Sequence, residues 1–190
     1  MNKLIFPALV ALCLSAVAAL AGPERYLLDA EKSKVGFAVP FGPDRIRGTF
    51  PVREADIVLD FERASNSTVS VVLDVGQAQA NFPFATQAMR GPKVLAADTH
   101  PDITFVSRSV AAQDGGAIVS GDITIRGVTR PIDLRADVFR PKGTELGDRA
   151  VLSVVLSGNV ARSDFGATGW ADLVGDTVTL DIRVQVNQAK

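Results

Sequence analysis

The chain is poor in the residues that staple, ligate or catalyse. It has one cysteine, one histidine, one tryptophan and one tyrosine among 190 residues. A lone cysteine, Cys13, closes no intrachain disulfide, so the fold must rest on a core. A lone histidine, His100, cannot build a His-rich metal site, and the chain has no G-x-S-x-G elbow to support a hydrolase triad. His100 stands in an Asp-Thr-His-Pro corner, where a turn role is expected. An excess of either charge is missing too: 20 Lys and Arg meet 21 Asp and Glu, for a formal charge of −1, so nothing in the balance points to nucleic acid.

The one long apolar run lies at the start. Lys3 precedes apolar residues over 4–17, and the small residues Ala19 and Ala21 follow, the pattern of a secretory signal cleaved after Ala21. The run is short for a transmembrane anchor and lacks stop-transfer charges. A lipid anchor on Cys13 would need a small residue before it, where Leu12 stands. Export would remove Lys3 and Cys13 and leave residues 22–190 as one domain without cysteine, with no internal linker or repeat.

What remains is rich in period-2 alternation, the mark of strands with one dry and one wet face. It is seen over 34–41, 45–52, 55–61 and 68–75, and again over 102–109, 117–126, 130–139, 151–162 and 176–187. Residues 76–101 interrupt it with two helix-compatible pieces, 84–90 and 93–97, split by Gly91-Pro92. This predicts an all-β domain, an antiparallel barrel of eight or nine strands with a short helical excursion. Asp133, Arg135, Asp137, Asp181 and Arg183 fall on the wet faces. In a bilayer each would cost about 2–4 kcal/mol near the midplane, which favours a barrel with a dry interior over a membrane barrel.

Strand parity points Phe37, Val39, Phe50, Ile57, Leu59, Val71 and Leu73 inward. Phe105, Ile123, Leu134, Val154, Leu156, Leu180 and Ile182 share that orientation, with Phe84 and Met89 contributed by the excursion as a plug or lid. Gly48, Gly121 and Gly158 also have inward parity and leave room for a tunnel. Parity alone does not separate a tunnel from a packed core. In SGDITIRGVTRPIDL (120–134), a hairpin around Gly127-Val128-Thr129, parity sends Arg126 outward and tilts Arg130 toward the mouth. Arg162 shares the parity of Leu156 and Val160. Arg130 and Arg162 are therefore the candidates for a bidentate contact to a ligand headgroup.

Several stretches, in order, resemble the YceI family of periplasmic lipocalin-like barrels that bind polyisoprenoid lipids. They are YLLDAEKSKVGFAV (26–39), Gly-Thr-Phe at 48–50, HPDITFVS (100–107), GDITIRGVTRPIDL (121–134), ARSDFG (161–166) and VGDTVTLDI (174–182). Three positions depart from the usual pattern: Lys32 and Pro40 replace histidines and Gly91 replaces an aspartate, so polar detail around the first strand and the excursion is expected to differ. The resemblance implies a periplasmic carrier that holds a quinone-type or polyprenyl lipid in the barrel, without cofactor, metal or catalytic residue. Its expected partners are that lipid and, transiently, a membrane or membrane protein, with oligomeric state open and a dimer included. The competing readings are an enzyme on a sequestered isoprenoid, for which Arg162 and Asp164 are the available polar pair, and a ligand-free, stress-related interaction module.

Overall fold

Alternation gives each strand one dry face, and closing the sheet turns those faces onto a common interior while removing exposed edges. The computed structural model describes residues 22–190, so the expected leader and Cys13 lie outside the described residues. Within them run ten strands: β1 (Glu24–Phe41), β2 (Asp44–Phe50), β3 (Val52–Leu59), β4 (Thr68–Asp74), β5 (Gln79–Ala80), β6 (Asp102–Gln113), β7 (Gly116–Ile125), β8 (Val128–Phe139), β9 (Val151–Ala161) and β10 (Thr177–Gln188). One α-helix, α1 (Pro83–Arg90), lies between β5 and β6.

The barrel runs β1-β3-β4-β6-β7-β8-β9-β10 and is closed by antiparallel pairing of β10 with β1. β1 is long enough to serve two neighbours along one edge. Glu24–Tyr26 pair with β3, whereas Val35–Phe41 pair with β2, which carries β5 in turn. β2 and β5 thus extend the wall at one end beyond the eight-stranded ring.

Two bulges explain where the periodicity stops being readable. The β1–β10 register shifts between Asp29 and Lys34, and the β6–β7 register shifts between Ser107 and Ser109. An odd number of extra residues, three in β1 and one in β6, flips which parity faces the interior. Leu28 and Val35 therefore both line the interior although an odd number of steps separates them. Similarly, Phe105 and Val110 both join the same apolar cluster. The strands consequently begin earlier and end later than the alternation over 34–41 and 102–109 indicates.

Residues 93–97, expected as a second helical piece, run through turns instead. Gly91 ends α1 in an extended conformation, and Pro92 has no amide with which to continue the helix. The amides of Leu95 and Ala97 bond the carbonyls of Met89 and Arg90 at 3.0 and 2.9 Å, and Ala96 adopts a φ of 51°. The segment folds back over the end of α1.

The two ends of the barrel differ. One is a packed floor, where Tyr26, Ile57, Leu152 and Val186 form a buried cluster with Leu59 and Val154 against it. The Tyr26 hydroxyl donates to the Arg149 carbonyl at 3.0 Å, and the Arg149 guanidinium lies 4.7 Å from the centre of the Phe61 ring. At the other end α1, residues 91–100 and residues 166–175 gather over the strand ends. The charged outer faces expected from parity are present, with Arg183–Asp181 and Arg135–Asp137 pairs at 3.2 and 3.1 Å.

Candidate functional site

Between floor and mouth the barrel is hollow. A cavity of about 440 Å³ extends from Leu28, Ile57, Val69 and Val184 above the floor to Phe84, Trp170 and Leu173 at the opposite end. Its walls are hydrocarbon, and among the described residues Arg162 is the one charged side chain in the lining. Such a space offers dispersion contact and exclusion from water, and it selects by length and shape more than by polar contact.

Most of the residues assigned to the interior by parity lie in this lining: Phe37, Val39, Phe50, Ile57, Val71, Leu73, Phe84, Met89, Phe105, Ile123, Leu134, Leu156, Leu180 and Ile182. Leu59 and Val154 do not. Both have the correct parity, but Leu59 ends β3 opposite Glu24, where the wall has closed into the floor, and Val154, opposite the cavity-lining Val184, packs against the floor cluster and the larger apolar cluster at once. Parity assigns a face of the sheet, not a height along the barrel.

The glycines of the interior leave less room than expected, because neighbouring side chains occupy their space. A methyl group on Gly121 would lie 2.6 Å from the Phe105 ring, and one on Gly158 would lie 2.7 Å from a Leu134 methyl. At Gly48 the ring of its cross-strand partner Phe37 takes that space. Phe37 also packs on Phe50 at a centroid distance of 5.3 Å. These glycines allow large side chains to lie flat along the wall, and this keeps the centre open.

Two of the arginines depart from parity, while Arg162 lies at the cavity wall on the side that parity gives it. Arg126, expected to point outward, occupies the two-residue turn Arg126-Gly127, with φ values of 52° and 73°, and β8 begins immediately at Val128. A left-handed turn conformation breaks strand alternation. The Arg126 guanidinium folds onto the excursion and donates to the carbonyls of Pro92 and Val94, both at 2.8 Å. Arg130 opposes Ile123 in the ladder but stands exposed outside the cavity lining, reaching only the Thr129 carbonyl at 3.5 Å.

Arg162 is buried at the cavity wall in a short 3₁₀ turn after β9. Its Nε donates to the Gly175 carbonyl at 2.9 Å, Nη1 to the Gly169 carbonyl at 2.8 Å and to that of Ala167, and Nη2 to the Val174 carbonyl at 2.9 Å. Most of its donor capacity is thus spent on main chain, and it braces residues 167–175 across the mouth. Asp164 is exposed and absent from the lining, so it does not form a buried pair with Arg162 inside the barrel.

The braced segment was not anticipated from sequence, although it supplies Ala167, Gly169, Trp170, Leu173 and Val174 to the cavity. Its one signal was the single tryptophan, set in a stretch without alternation. The Gly169 amide bonds the Lys93 carbonyl at 2.9 Å, which joins this strap to the segment held by Arg126. Phe84 on α1 meets Trp170 edge to face, with ring centroids 6.3 Å apart.

The residues that depart from the expected pattern are absorbed locally. Lys32 pairs with Asp29 at 3.3 Å, Pro40 packs beside Gly175, and Gly91 caps α1. His100 lies beside Gly127 in the turn region. Among the described residues no three His, Cys, Asp or Glu side chains cluster at metal-binding separation.

Comparison with known proteins adds findings of three kinds. A family profile described as YceI-like domain matches residues 26–186. A UPF0312 protein of Photorhabdus laumondii is 25% identical over 178 residues, covering 93% of this chain and 91% of that protein. A UPF0312 protein of Pseudomonas putida is 31% identical over 143 residues, covering 74% and 72%. Among solved structures, Burkholderia cenocepacia BcnA is similar with a TM-score of 0.75 and 21% identity, covering 84% of this chain and 99% of that one. A polyisoprenoid binding domain from Saccharophagus degradans is similar with a TM-score of 0.63 and 17% identity, over 87% and 99%. At such identities the structural likeness establishes the fold alone.

Proposed function

Because the chain belongs to the YceI-like family, we propose that it is a carrier that holds one long apolar lipid of the isoprenoid type inside the barrel. The observation that carries this reading is the hollow hydrocarbon interior: about 440 Å³ of space behind a wall whose one charged member is already bonded to main-chain carbonyls. Each methylene moved from water into such a space gains about 0.8 kcal/mol, so a long chain binds with few polar contacts. The structural relative described as a polyisoprenoid binding domain supports the choice of isoprenoid among apolar lipids. Arg130 and Arg162 fit the reading at the mouth end, Arg162 chiefly as the brace of the strap and Arg130 as an exposed cation that a headgroup leaving the cavity would meet.

The leader-like residues 1–21 support export, and the proposed place of action is the periplasm. The role is binding and transport, with no bond made or broken. Native purification followed by organic extraction and mass spectrometry tests the proposal. One apolar lipid recovered per chain is expected; protein that yields none, and that takes up no polyprenol from detergent solution, would overturn it.

A further inference from the structure

The exposed large apolar side chains are not scattered at random. Phe84, Trp170 and Leu173 retain 66%, 41% and 59% of their surface in solvent, yet all three also line the cavity. At these three side chains the hydrocarbon wall therefore runs out of the mouth onto the surface. Phe84 projects from α1, while Trp170 and Leu173 belong to the strap braced by Arg162, whose backbone also receives the Gly42 amide at the Leu173 carbonyl, 3.2 Å. Three separate segments hold these tips in place before anything binds.

We propose that this rim is a docking surface for the hydrocarbon border of a lipid bilayer. The inference rests on the carrier reading and names where that carrier exchanges its ligand. A chain that left the cavity through water would expose its methylenes one by one, each lowering the rate about fourfold. A mouth whose apolar lining is continuous with bilayer hydrocarbon removes that barrier. A tryptophan with one edge dry and one wet suits the headgroup level of a membrane. Asp44 and Arg45 at the start of β2, Lys93 just beyond α1, Asp172 in the strap and the exposed Arg130 place both signs around this end, so attachment rests chiefly on apolar contact and less on salt or lipid charge.

Sedimentation of the purified protein with sucrose-loaded phosphatidylcholine vesicles tests this. The wild type is expected to pellet with the vesicles in low and high salt. Phosphatidylcholine brominated in its acyl chains should quench Trp170, the single tryptophan. The double substitution Phe84→Ser, Leu173→Ser should lower vesicle partitioning about tenfold or more at an unchanged melting temperature, because both side chains are mostly exposed. Wild-type protein left in the supernatant overturns the proposal, as does a double variant that pellets equally well. So does a rim that captures a second polypeptide but no vesicle. If vesicles are not bound while natively purified protein still yields a lipid, this inference alone falls. Vesicle binding by protein that yields no lipid and takes up no polyprenol supports docking and sinks the carrier reading instead.

Discussion

The guanidinium of Arg162 donates to the Gly169 carbonyl at 2.8 Å, at the edge of an apolar cavity and among further bonds to Ala167, Val174 and Gly175. One side chain thus holds a loop of irregular backbone that pairs with the sheet only through a single bridge between Val174 and Phe41. A buried acceptor left without a donor costs about 1–3 kcal/mol, and several lose theirs at once if the arginine goes. Arg162→Met should lower unfolding free energy by about 3 kcal/mol or more in urea titration, and limited proteolysis should cut first within 166–175. Arg162→Lys, a point charge without the planar fork, should recover only part of the loss.

Leu152 and Leu156 stand one above the other on β9, and they separate a packed floor from a hollow interior. Leu152 is 1% exposed within the floor cluster, whereas Leu156 lines the cavity. Leu152→Ala should cost about 2–5 kcal/mol, the usual range for emptying a full site. Leu156→Ala should cost less, because one side of that residue already lacks packing partners. Leu156→Trp, by filling the space, should reduce uptake of a fluorescent polyene at a melting temperature within a few degrees of wild type. Equal losses from the two alanine variants would mean that the interior is filled by protein.

Gly121 faces the Phe105 ring, and a β-carbon there would lie 2.6 Å from that ring and 2.5 Å from the Val106 carbonyl oxygen. The backbone neighbour cannot rotate away. Gly121→Ala should therefore destabilise by about 1–3 kcal/mol through overpacking, despite adding only a methyl group. Combining it with Phe105→Leu should recover part of the loss, but not the part due to the carbonyl.

The pH dependence of stability should have two limbs. Asp60 accepts hydrogen bonds from the Arg63 amide at 2.7 Å, the Asn66 side chain at 2.8 Å and the Glu62 amide at 2.9 Å, and these hold its carboxyl below the usual range. Asp74 is held low chiefly by Arg53 at 3.0 Å. Groups with lowered values stabilise fully above the unfolded value of about 4 and lose that contribution as pH falls through the folded values. Tyr26 is pushed up to about 12, by burial first and then by Glu24, so its contribution is complete below about 10 and disappears as pH rises through 12. Urea midpoints measured from pH 2 to 12 should fall at both ends. Tyr26→Phe should flatten the alkaline limb, and Asp60→Asn should shrink the acid one.

Strands, their inward faces and the apolar character of the interior were legible because a two-residue period is a local property of the chain. Phe37 and Val39, or Leu180 and Ile182, declare their face from their neighbours alone. The reading failed where backbone geometry broke the period. At Asp29–Lys34 and Ser107–Ser109 a bulge reversed parity, and at Arg126 a left-handed turn residue carried the side chain across onto the excursion. It also failed where height mattered, at Leu59, because alternation records direction and not position along the axis.

By itself, then, the sequence determined an all-β chain with dry faces enough to line a barrel, no cysteine to staple it outside the leader-like segment, and wet strand faces that carry charges such as Asp133, Arg135, Asp181 and Arg183. Tertiary structure decided that the barrel is hollow and open at one end. That outcome depends on Phe37 and Phe105 lying over Gly48 and Gly121 so that their rings hug the wall, and on Arg162 binding carbonyls of a loop that shows no pattern of its own. The first joins different strands and is set by how the sheet closes, the second depends on how an irregular loop folds back onto the turn just before it, and no local period encodes either.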